Sequence, residues 1–370
     1  MAGIYTHIPF CFSRCGYCDF YKTTRLDRIG PFVSVLMKEI EHYSSDLNER
    51  IETVYFGGGT PSLISVKDYR DIFKQLRDNY DIADSAEITM EANPDDINED
   101  YLDAMLQIGF NRISIGIQSF HDRDLKEMGR RHNSVQALQA VNIANKAGFD
   151  NISIDLIYGL SWGDIGSFRE NLSVLKGMPV QHISAYHLTF EEGTPFWQLL
   201  KRGIYKEIKD SESTEQYQEL CRFLADEGFE HYEVSNFCKP SFHSRHNSSY
   251  WNHTPYIGFG PGSHSYYDGV RRWNKPDLSL YLRSEWDSIV ESEILDNRDL
   301  VNEIIMLGLR TANGFDSERI RALDASFYEQ VFSNSRKWLK AGHLILDDRF
   351  VKCPEDSWFI VDGIIKDIFI

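Results

Sequence analysis

The residues with the clearest chemical meaning are three closely spaced cysteines near the start of the chain, Cys11, Cys15 and Cys18. Thiolates on one short loop can ligate three irons of a four-iron, four-sulfur (4Fe-4S) cluster and leave the fourth iron without a protein ligand. An electron-transfer cluster takes four cysteines, so three indicate an open coordination position, as in a catalytic zinc centre. The spacing therefore predicts a 4Fe-4S cluster with one iron free for chemistry.

Two other interpretations of these cysteines stay open on spacing alone. They could form part of a zinc site, although a structural zinc needs a fourth Cys or His at short spacing and none follows before His42. They could also be a chance cluster. Disulfides are disfavoured because nothing else in the chain indicates secretion.

The composition limits the classes of protein to which the chain can belong. Its 370 residues, 42% of them hydrophobic, are enough for one large domain and one smaller one. The first residues lack the basic and apolar regions of a signal peptide, and no apolar run has the length of a transmembrane helix. We therefore predict a cytoplasmic protein without a transmembrane segment. The net charge of −17 argues against a nucleic-acid partner, because phosphate binding normally requires a basic face.

The first two-thirds of the sequence alternates short β-rich runs with amphipathic helical patterns. This alternation is typical of βαβ units with a parallel sheet, and six units predict an open, incomplete (β/α)6 barrel. In such a barrel, the chemistry lies on loops at the carboxyl ends of the strands. Strands are predicted at 3–8, 53–56, 86–91, 112–117, 151–157 and 182–188, and helices at 31–47, 67–79, 99–107, 134–147 and 165–175.

The alternation stops near Gly193, and two further regions follow. After a helix at 211–227 and a strand at 231–235, we interpret 236–274 as a loop-rich segment. Helices at 299–309 and 326–340, with short strands beside Asp347-Asp348, predict a small α+β, winged-helix-like module. We divide the chain into a barrel, a linking segment and this C-terminal module, at 1–235, 236–290 and 291–370.

Several polar residues coincide with the ends of the predicted strands or the loops beyond them. A charge next to a sheet core is costly unless it is paired or bound to a ligand. The carboxylate of Glu91 could simply pair with Arg130, but as a set these residues favour a bound polar cofactor. They are Glu91, Gln118, Arg130 and Asp155, and the separate run Gly57-Gly58-Gly59-Thr60 lets a ligand approach the backbone closely.

The cysteine loop, with Tyr5, His7-Ile-Pro-Phe and Tyr17 around it, resembles the radical S-adenosylmethionine (SAM) superfamily. Matches further along narrow the resemblance to the anaerobic coproporphyrinogen III oxidase family. The resemblance implies that the three cysteines ligate the cluster and that SAM chelates the open iron through its amino and carboxylate groups. The positions that match the SAM site are Tyr5, Tyr17, Gly58, Gly59, Thr60, Glu91, Gln118, Arg130 and Asp155.

The individual roles within this site are our assignments. We expect Arg130 to bind the SAM carboxylate, Glu91 the amino group, and Gln118 and Asp155 the ribose hydroxyls. Tyr17 is expected to line the adenine.

The second informative segment, Arg245 to Trp251, carries the motif H-N-x-x-Y-W. A histidine in such a ring-rich segment is most often a hydrogen-bonded structural residue. The motif nevertheless resembles that of the haem chaperones within the same family, and histidine is a common axial ligand of haem iron. The resemblance implies a haem site that includes His246, Asn247, Tyr250 and Trp251, with His246 as the candidate iron ligand.

Two departures from the oxidases favour the chaperone branch. The oxidases carry a further cysteine two residues after the triad, where this chain has Phe20, and they have a longer arm before the cluster loop. We therefore predict a protein that binds haem and transfers it to an unidentified acceptor protein, with a 4Fe-4S cluster and SAM.

Oxidative decarboxylation of coproporphyrinogen III is the alternative function, and radical SAM modification of RNA is a remote one. Whether the chain is an enzyme, and its oligomeric state, stay open at this level.

Overall fold

A parallel sheet built from six strands forms the first half of the chain in the computed structural model, which describes residues 1–370. Each strand pairs in parallel with the next one along the chain, as predicted for an open barrel. The strands are β1 Ala2–Ile8, β2 Ile51–Gly58, β3 Ile82–Ala92, β4 Arg112–Gln118, β5 Ile152–Tyr158 and β6 His182–His187. The helices between them are α1 Ile29–His42, α2 Val66–Asn79, α3 Glu99–Ile108, α4 Asp122–Glu127, α5 Ser134–Ala147 and α6 Ile165–Ser173.

Local signals explain why the helices begin and end where they do. The side chain of Asn133 caps α5 and forms a reciprocal capping box with Gln136. Gly148 ends the same helix at a φ of 105°, a conformation that favours glycine. The predicted helix 134–147 therefore matches α5 at both ends, whereas α1 ends at His42 rather than at residue 47.

The middle of the chain differs from the loop-rich segment that we expected, and that expectation is wrong. Residues 236–294 contribute five strands to the main sheet. The elements are α7 Pro195–Lys201, α8 Asp210–Asp226, β7 Glu230–Glu233, β8 Asn236–Cys238, α9 Arg245–Trp251, β9 Tyr256–Phe259, β10 His264–Tyr267, β11 Val270–Asn274, α10 Leu278–Tyr281, α11 Trp286–Ile289 and β12 Val290–Ile294. The sheet has twelve strands in the order β12-β11-β10-β9-β1-β2-β3-β4-β5-β6-β8-β7.

Pairing with β1 explains how such short strands form. β9 lies parallel to β1, with Thr6 opposite Phe259, and β10 to β12 continue the sheet in antiparallel order. Strands of three to five residues carry little periodicity of their own, so their sequence gives a weak signal. β1 supplies hydrogen bonds to β9, and β10, β11 and β12 each pair with the strand before them.

The C-terminal part forms the predicted small α+β module. Its elements are α12 Asn297–Leu309, β13 Phe315–Asp316, α13 Ser317–Leu323, α14 Ala325–Ala341, β14 Ile345–Asp347, β15 Phe350–Lys352 and α15 Val361–Ile368. The three strands form an antiparallel sheet in the order β13-β15-β14. Residues of α12, including Val301 and Ile305, share one apolar core with Ile4 of β1.

The three-part division of the chain stays a prediction. No helix is both long and apolar enough to cross a bilayer.

Candidate functional site

The cysteine loop follows β1 and is held by backbone hydrogen bonds from both sides. The amide of Cys11 donates to the carbonyl of Thr23 at 2.9 Å, and the amide of Gly16 donates to that of Met128 at 3.1 Å. The loop has no regular secondary structure, so these bonds fix its path. The thiols are thereby positioned at the carboxyl end of the parallel strands.

All three thiols line one cavity of about 420 Å³, which we call the cluster cavity. Hydrogen-bond donors reach two of the sulfurs, since Thr60 Oγ1 lies 3.5 Å from Cys11 Sγ and Arg130 Nη1 lies 3.5 Å from Cys15 Sγ. Burial raises the pKa of the Cys11 and Cys18 thiols. Iron binds the thiolate form, which these donors stabilise. The residues present therefore fit a three-cysteine cluster.

The glycine run at the end of β2 allows the cluster loop to lie close to this strand. The amide of Gly59 donates to the carbonyl of Ile8 at 2.7 Å, and a Cβ on Gly59 would lie 2.7 Å from the carbonyl oxygen of Phe10. Gly58 has a φ of 106°, and a Cβ there would lie 2.5 Å from the ring of His7. Side chains at these positions would push the cluster loop away from the end of β2.

Two carboxylates form part of the wall of the cluster cavity. Glu91 accepts hydrogen bonds from the Tyr55 hydroxyl at 2.8 Å and the Gly58 amide at 3.1 Å, and Asp155 accepts from Ser114 Oγ at 3.2 Å. Burial, with the nearby charge of Asp155, raises the pKa of Glu91 to about 7, and burial raises the pKa of Asp155 to about 6. Such a pair favours a ligand that brings positive charge and hydroxyl donors, which SAM does.

Arg130 and Gln118 complete the polar wall. Arg130 Nη2 donates to Asn93 Oδ1 and to the carbonyl of Gly116, both at 2.6 Å, and its buried Nε has no partner. Arg130 forms no hydrogen bond or ion pair with Glu91, so that simple pairing does not account for either charge. Gln118 adopts a φ of 69°, which is uncommon for a residue with a side chain. Local backbone strain of this kind is typical of functional sites.

The structure brings together all but one of the predicted SAM residues. Tyr5 is the exception, because it does not line the cluster cavity. Its hydroxyl lies 3.2 Å from His7 Nδ1, and its ring stacks against His246. The residues that do line the cluster cavity are Tyr17, Gly58, Gly59, Thr60, Glu91, Gln118, Arg130 and Asp155, together with the three cysteines.

A second cavity, of about 440 Å³, lies next to the first, where β9 and β10 face α12. We call it the aromatic cavity, because most of its wall consists of rings. Phe20 lines both cavities, with 63% of its surface exposed. The residues that define the aromatic cavity are Tyr5, Tyr21, Tyr250, Tyr256, Tyr266 and Met306.

The H-N-x-x-Y-W motif forms α9, behind this cavity. His246 is 1% exposed, and both of its ring nitrogens are hydrogen-bonded: Nδ1 lies 2.8 Å from Thr53 Oγ1 and Nε2 lies 2.8 Å from the Tyr250 hydroxyl. Burial lowers the pKa of His246 to about 3, so its ring is neutral. Ligation of iron by His246 stays a prediction, and it would require one of these hydrogen bonds to break.

The other motif residues separate in space. Tyr250 lines the aromatic cavity, whereas Trp251 lines a different cavity beside the C-terminal module. The amide of Asn247 donates to Ser244 Oγ at 3.3 Å, a capping bond at the start of α9. Only Tyr250 of the four motif residues therefore contacts the aromatic cavity.

Sequence reasoning missed the residues that hold the charged side chains in place. Asn93 accepts from Arg130 and donates to Thr60 Oγ1 at 3.1 Å, and Tyr55 binds Glu91. Asn93 could have been identified from the sequence, because it is a polar residue between the end of β3 and Pro94. No local signal marks Tyr55, because tyrosine is common in strands.

The comparisons with known proteins agree with this geometry. Residues 5–172 match the radical SAM superfamily. The chain is 32% identical to the heme chaperone HemW of Lactococcus lactis subsp. lactis (strain IL1403), over 93% of this chain and 91% of that protein. The chain belongs to the HemW family of radical SAM proteins. This confirms the family indicated by the cysteine loop and the H-N-x-x-Y-W motif, and superfamily membership implies a 4Fe-4S cluster and SAM.

A second relative and one solved structure extend the comparison. Radical S-adenosyl methionine domain-containing protein 1, mitochondrial, of Danio rerio is 32% identical over 100% of this chain and 87% of its own. The radical SAM enzyme coproporphyrinogen III oxidase (HemN) from Escherichia coli superposes with a TM-score of 0.85 at 22% identity, over 100% of this chain and 90% of that chain. The latter likeness establishes the shared fold.

Proposed function

We propose that this protein is a haem chaperone, which binds haem and transfers it to an acceptor protein. The observation that carries the proposal is the aromatic cavity, which contains Tyr250 of the H-N-x-x-Y-W motif and adjoins the cluster cavity. Its volume of about 440 Å³ lies within the range of cofactor sites, about 300–1,000 Å³. Relatives that share 32% identity carry the name heme chaperone, which supports the same function.

The cluster cavity would hold the 4Fe-4S cluster and SAM beside the haem. When bound, the cluster supplies single-electron chemistry at its open iron. On the protein side, Cys11, Cys15 and Cys18 would hold the irons. Arg130 would bind the SAM carboxylate, and Glu91 its amino group.

Gln118 and Asp155 would bind the ribose hydroxyls of SAM, and Tyr17 would line the adenine. Tyr5, which lines the aromatic cavity, stays a predicted SAM position on the family resemblance alone.

We expect no decarboxylation of coproporphyrinogen III. The position at which the oxidases carry a further cysteine is Phe20 here, an exposed ring between the two cavities. We expect no nucleic-acid partner, because the chain carries a net charge of −17. The acceptor protein is unidentified, and the cytoplasmic location stays a prediction.

An anaerobic titration of the cluster-reconstituted protein with haemin, followed by Soret absorbance, tests haem binding. We expect saturation near one haem per chain. Transfer is tested by adding an apo-haem protein and following the shift of the Soret band with time. Absence of saturable binding, or formation of protoporphyrinogen from coproporphyrinogen III in a parallel anaerobic assay, would contradict the proposal.

A further inference from the structure

The histidines around the aromatic cavity differ in whether their ring nitrogens are free. An axial ligand of haem iron must offer a neutral ring nitrogen with an unshared electron pair. Four histidines line the cavity or lie directly behind it: His7, His246, His253 and His264. Their hydrogen bonds decide which of them can serve without rearrangement.

Three of these histidines already have partners at both ring nitrogens. His246 bonds to Thr53 and Tyr250, as described above. His7 Nδ1 lies 3.2 Å from the Tyr5 hydroxyl, and its Nε2 lies 2.9 Å from the carbonyl of Tyr21.

His253 is bound by the C-terminal module. Its Nε2 lies 3.1 Å from Glu303 and its Nδ1 lies 3.5 Å from Arg319 Nη2. To bind iron, each of these three rings would have to give up a hydrogen bond in a buried or partly buried place, which is unfavourable because the partner is left unpaired.

His264 is the fourth histidine at the aromatic cavity. It is the first residue of β10, where its backbone pairs with Trp273, and its ring stacks on that tryptophan at a centroid distance of 6.1 Å. Neither ring nitrogen has a hydrogen-bond or ion-pair partner, and the residue is exposed on the wall of the cavity. The β-strand fixes its backbone, while the tryptophan limits the orientation of its ring.

We propose that His264, rather than the motif residue His246, is the protein ligand of haem iron, with the porphyrin among the rings of the aromatic cavity. This inference rests on the proposed haem binding. The rings of Tyr250, Tyr256 and Tyr266 provide apolar faces for the macrocycle. His246 then has a structural role, since it orients the Tyr250 hydroxyl from behind the wall.

The test compares three single variants of the full-length, cluster-reconstituted protein: His264→Ala, His246→Ala and His253→Ala. Each is titrated anaerobically with haemin and with iron-free protoporphyrin IX. We expect His264→Ala to bind haemin about tenfold more weakly or worse, and to lose the absorption and EPR signature of histidine-ligated iron. Its affinity for protoporphyrin IX should not change, because that probe has no iron to ligate.

Added imidazole should restore the histidine-ligated spectrum in His264→Ala, since it can enter the space that the side chain leaves. Normal iron and sulfide content of the cluster checks that the variant is folded. A wild-type haem spectrum in His264→Ala would overturn the inference while leaving haem binding established. If only His246→Ala lost the spectrum of histidine-ligated iron, the inference would also be overturned and haem binding would still be established. Failure of the wild-type protein to bind haemin would instead refute the proposed function itself.

Discussion

The two cavities on either side of Phe20 are built in different ways. The cluster cavity lies at the carboxyl ends of parallel strands, and carboxylates, an arginine and three thiols form its chemistry. The aromatic cavity lies where the antiparallel extension of the same sheet meets α12, and rings form most of its wall. One is suited to a charged, polar cofactor and the other to a flat, apolar one.

This difference shows how one sheet can form two cavities of different chemical character. Parallel pairing aligns strand ends at one edge, so polar residues from distant parts of the sequence converge there. The extension through β9 and β10 pairs with the opposite side of β1 and brings its tyrosines to a separate place. If the two cavities are separate sites, variants in one should leave ligand binding in the other unchanged.

The largest effect is expected from Cys15→Ser. With two thiolates left on the loop, reconstitution should give iron and sulfide contents at background level, because the cluster requires three protein ligands here. Haemin affinity at the aromatic cavity should be unchanged. Chemical analysis of iron and sulfide, followed by a haemin titration, measures both. Cys353→Ser, at a buried cysteine of the C-terminal module, is the control and should retain its cluster. Loss of haemin binding in Cys15→Ser would show that the two sites are not independent.

Glu91→Gln should change the pH dependence of stability in the cluster-free protein. The folded state keeps a proton on Glu91 up to about pH 7, whereas an ordinary glutamate releases it near pH 4.5. The folded state therefore binds more protons in this window, and wild-type stability falls as the pH rises through it. As the pH rises through this window, the free energy of unfolding of the wild-type protein should fall by about 1–3 kcal/mol relative to that of Glu91→Gln.

Urea unfolding of both proteins at several values between pH 4.5 and pH 8 measures this difference. Contributions from groups that do not interact with Glu91, such as His7 and His246, occur in both proteins and cancel in the comparison. Parallel stability curves would show that the Glu91 carboxyl is not perturbed. They would also contradict the inference that the cluster cavity favours a positively charged ligand.

Asp155→Asn should weaken SAM binding by about tenfold, since the amide offers one acceptor oxygen where the carboxylate offers two. Haemin affinity should not change. Equilibrium binding of SAM to the cluster-reconstituted protein, measured by the change in its EPR spectrum, gives the affinity. Asp347→Asn, on the exposed hairpin of the C-terminal module, is the matched control. Unchanged SAM affinity in Asp155→Asn would exclude Asp155 from the ribose site.

The smallest effect is expected from Tyr250→Phe, in the aromatic cavity. The change removes the hydroxyl that bonds His246 Nε2 and leaves that buried nitrogen unpaired, which should cost about 1–2 kcal/mol of stability. Tyr256→Phe is the control, because the hydroxyl of Tyr256 has no hydrogen-bond partner. Chemical denaturation of the two variants measures the difference. Equal stability would mean that the His246–Tyr250 hydrogen bond contributes little to the fold.

Much of the barrel and of the cluster cavity could be predicted because their signals are local. The spacing of the cysteines, the βαβ alternation and the polar residues at strand ends can each be read within a short window. Parallel pairing then makes their convergence predictable. Such local signals did not indicate that Tyr5 would line the aromatic cavity, because adjacency to the cysteine loop in sequence does not decide which cavity a strand side chain faces.

The parallel barrel and the cysteine loop could be predicted from the chain alone, since periodicity and spacing are properties of contiguous residues. The family was indicated by the resemblance of its motifs. Folding brings residues 236–274 into the sheet, encloses His246 between Thr53 and Tyr250, and leaves His264 free, and no local pattern indicated any of these. These outcomes depend on partners almost 200 residues away in the case of Thr53. A histidine's chemistry is set by what its two nitrogens contact, and that is fixed by packing rather than by its neighbours in the chain.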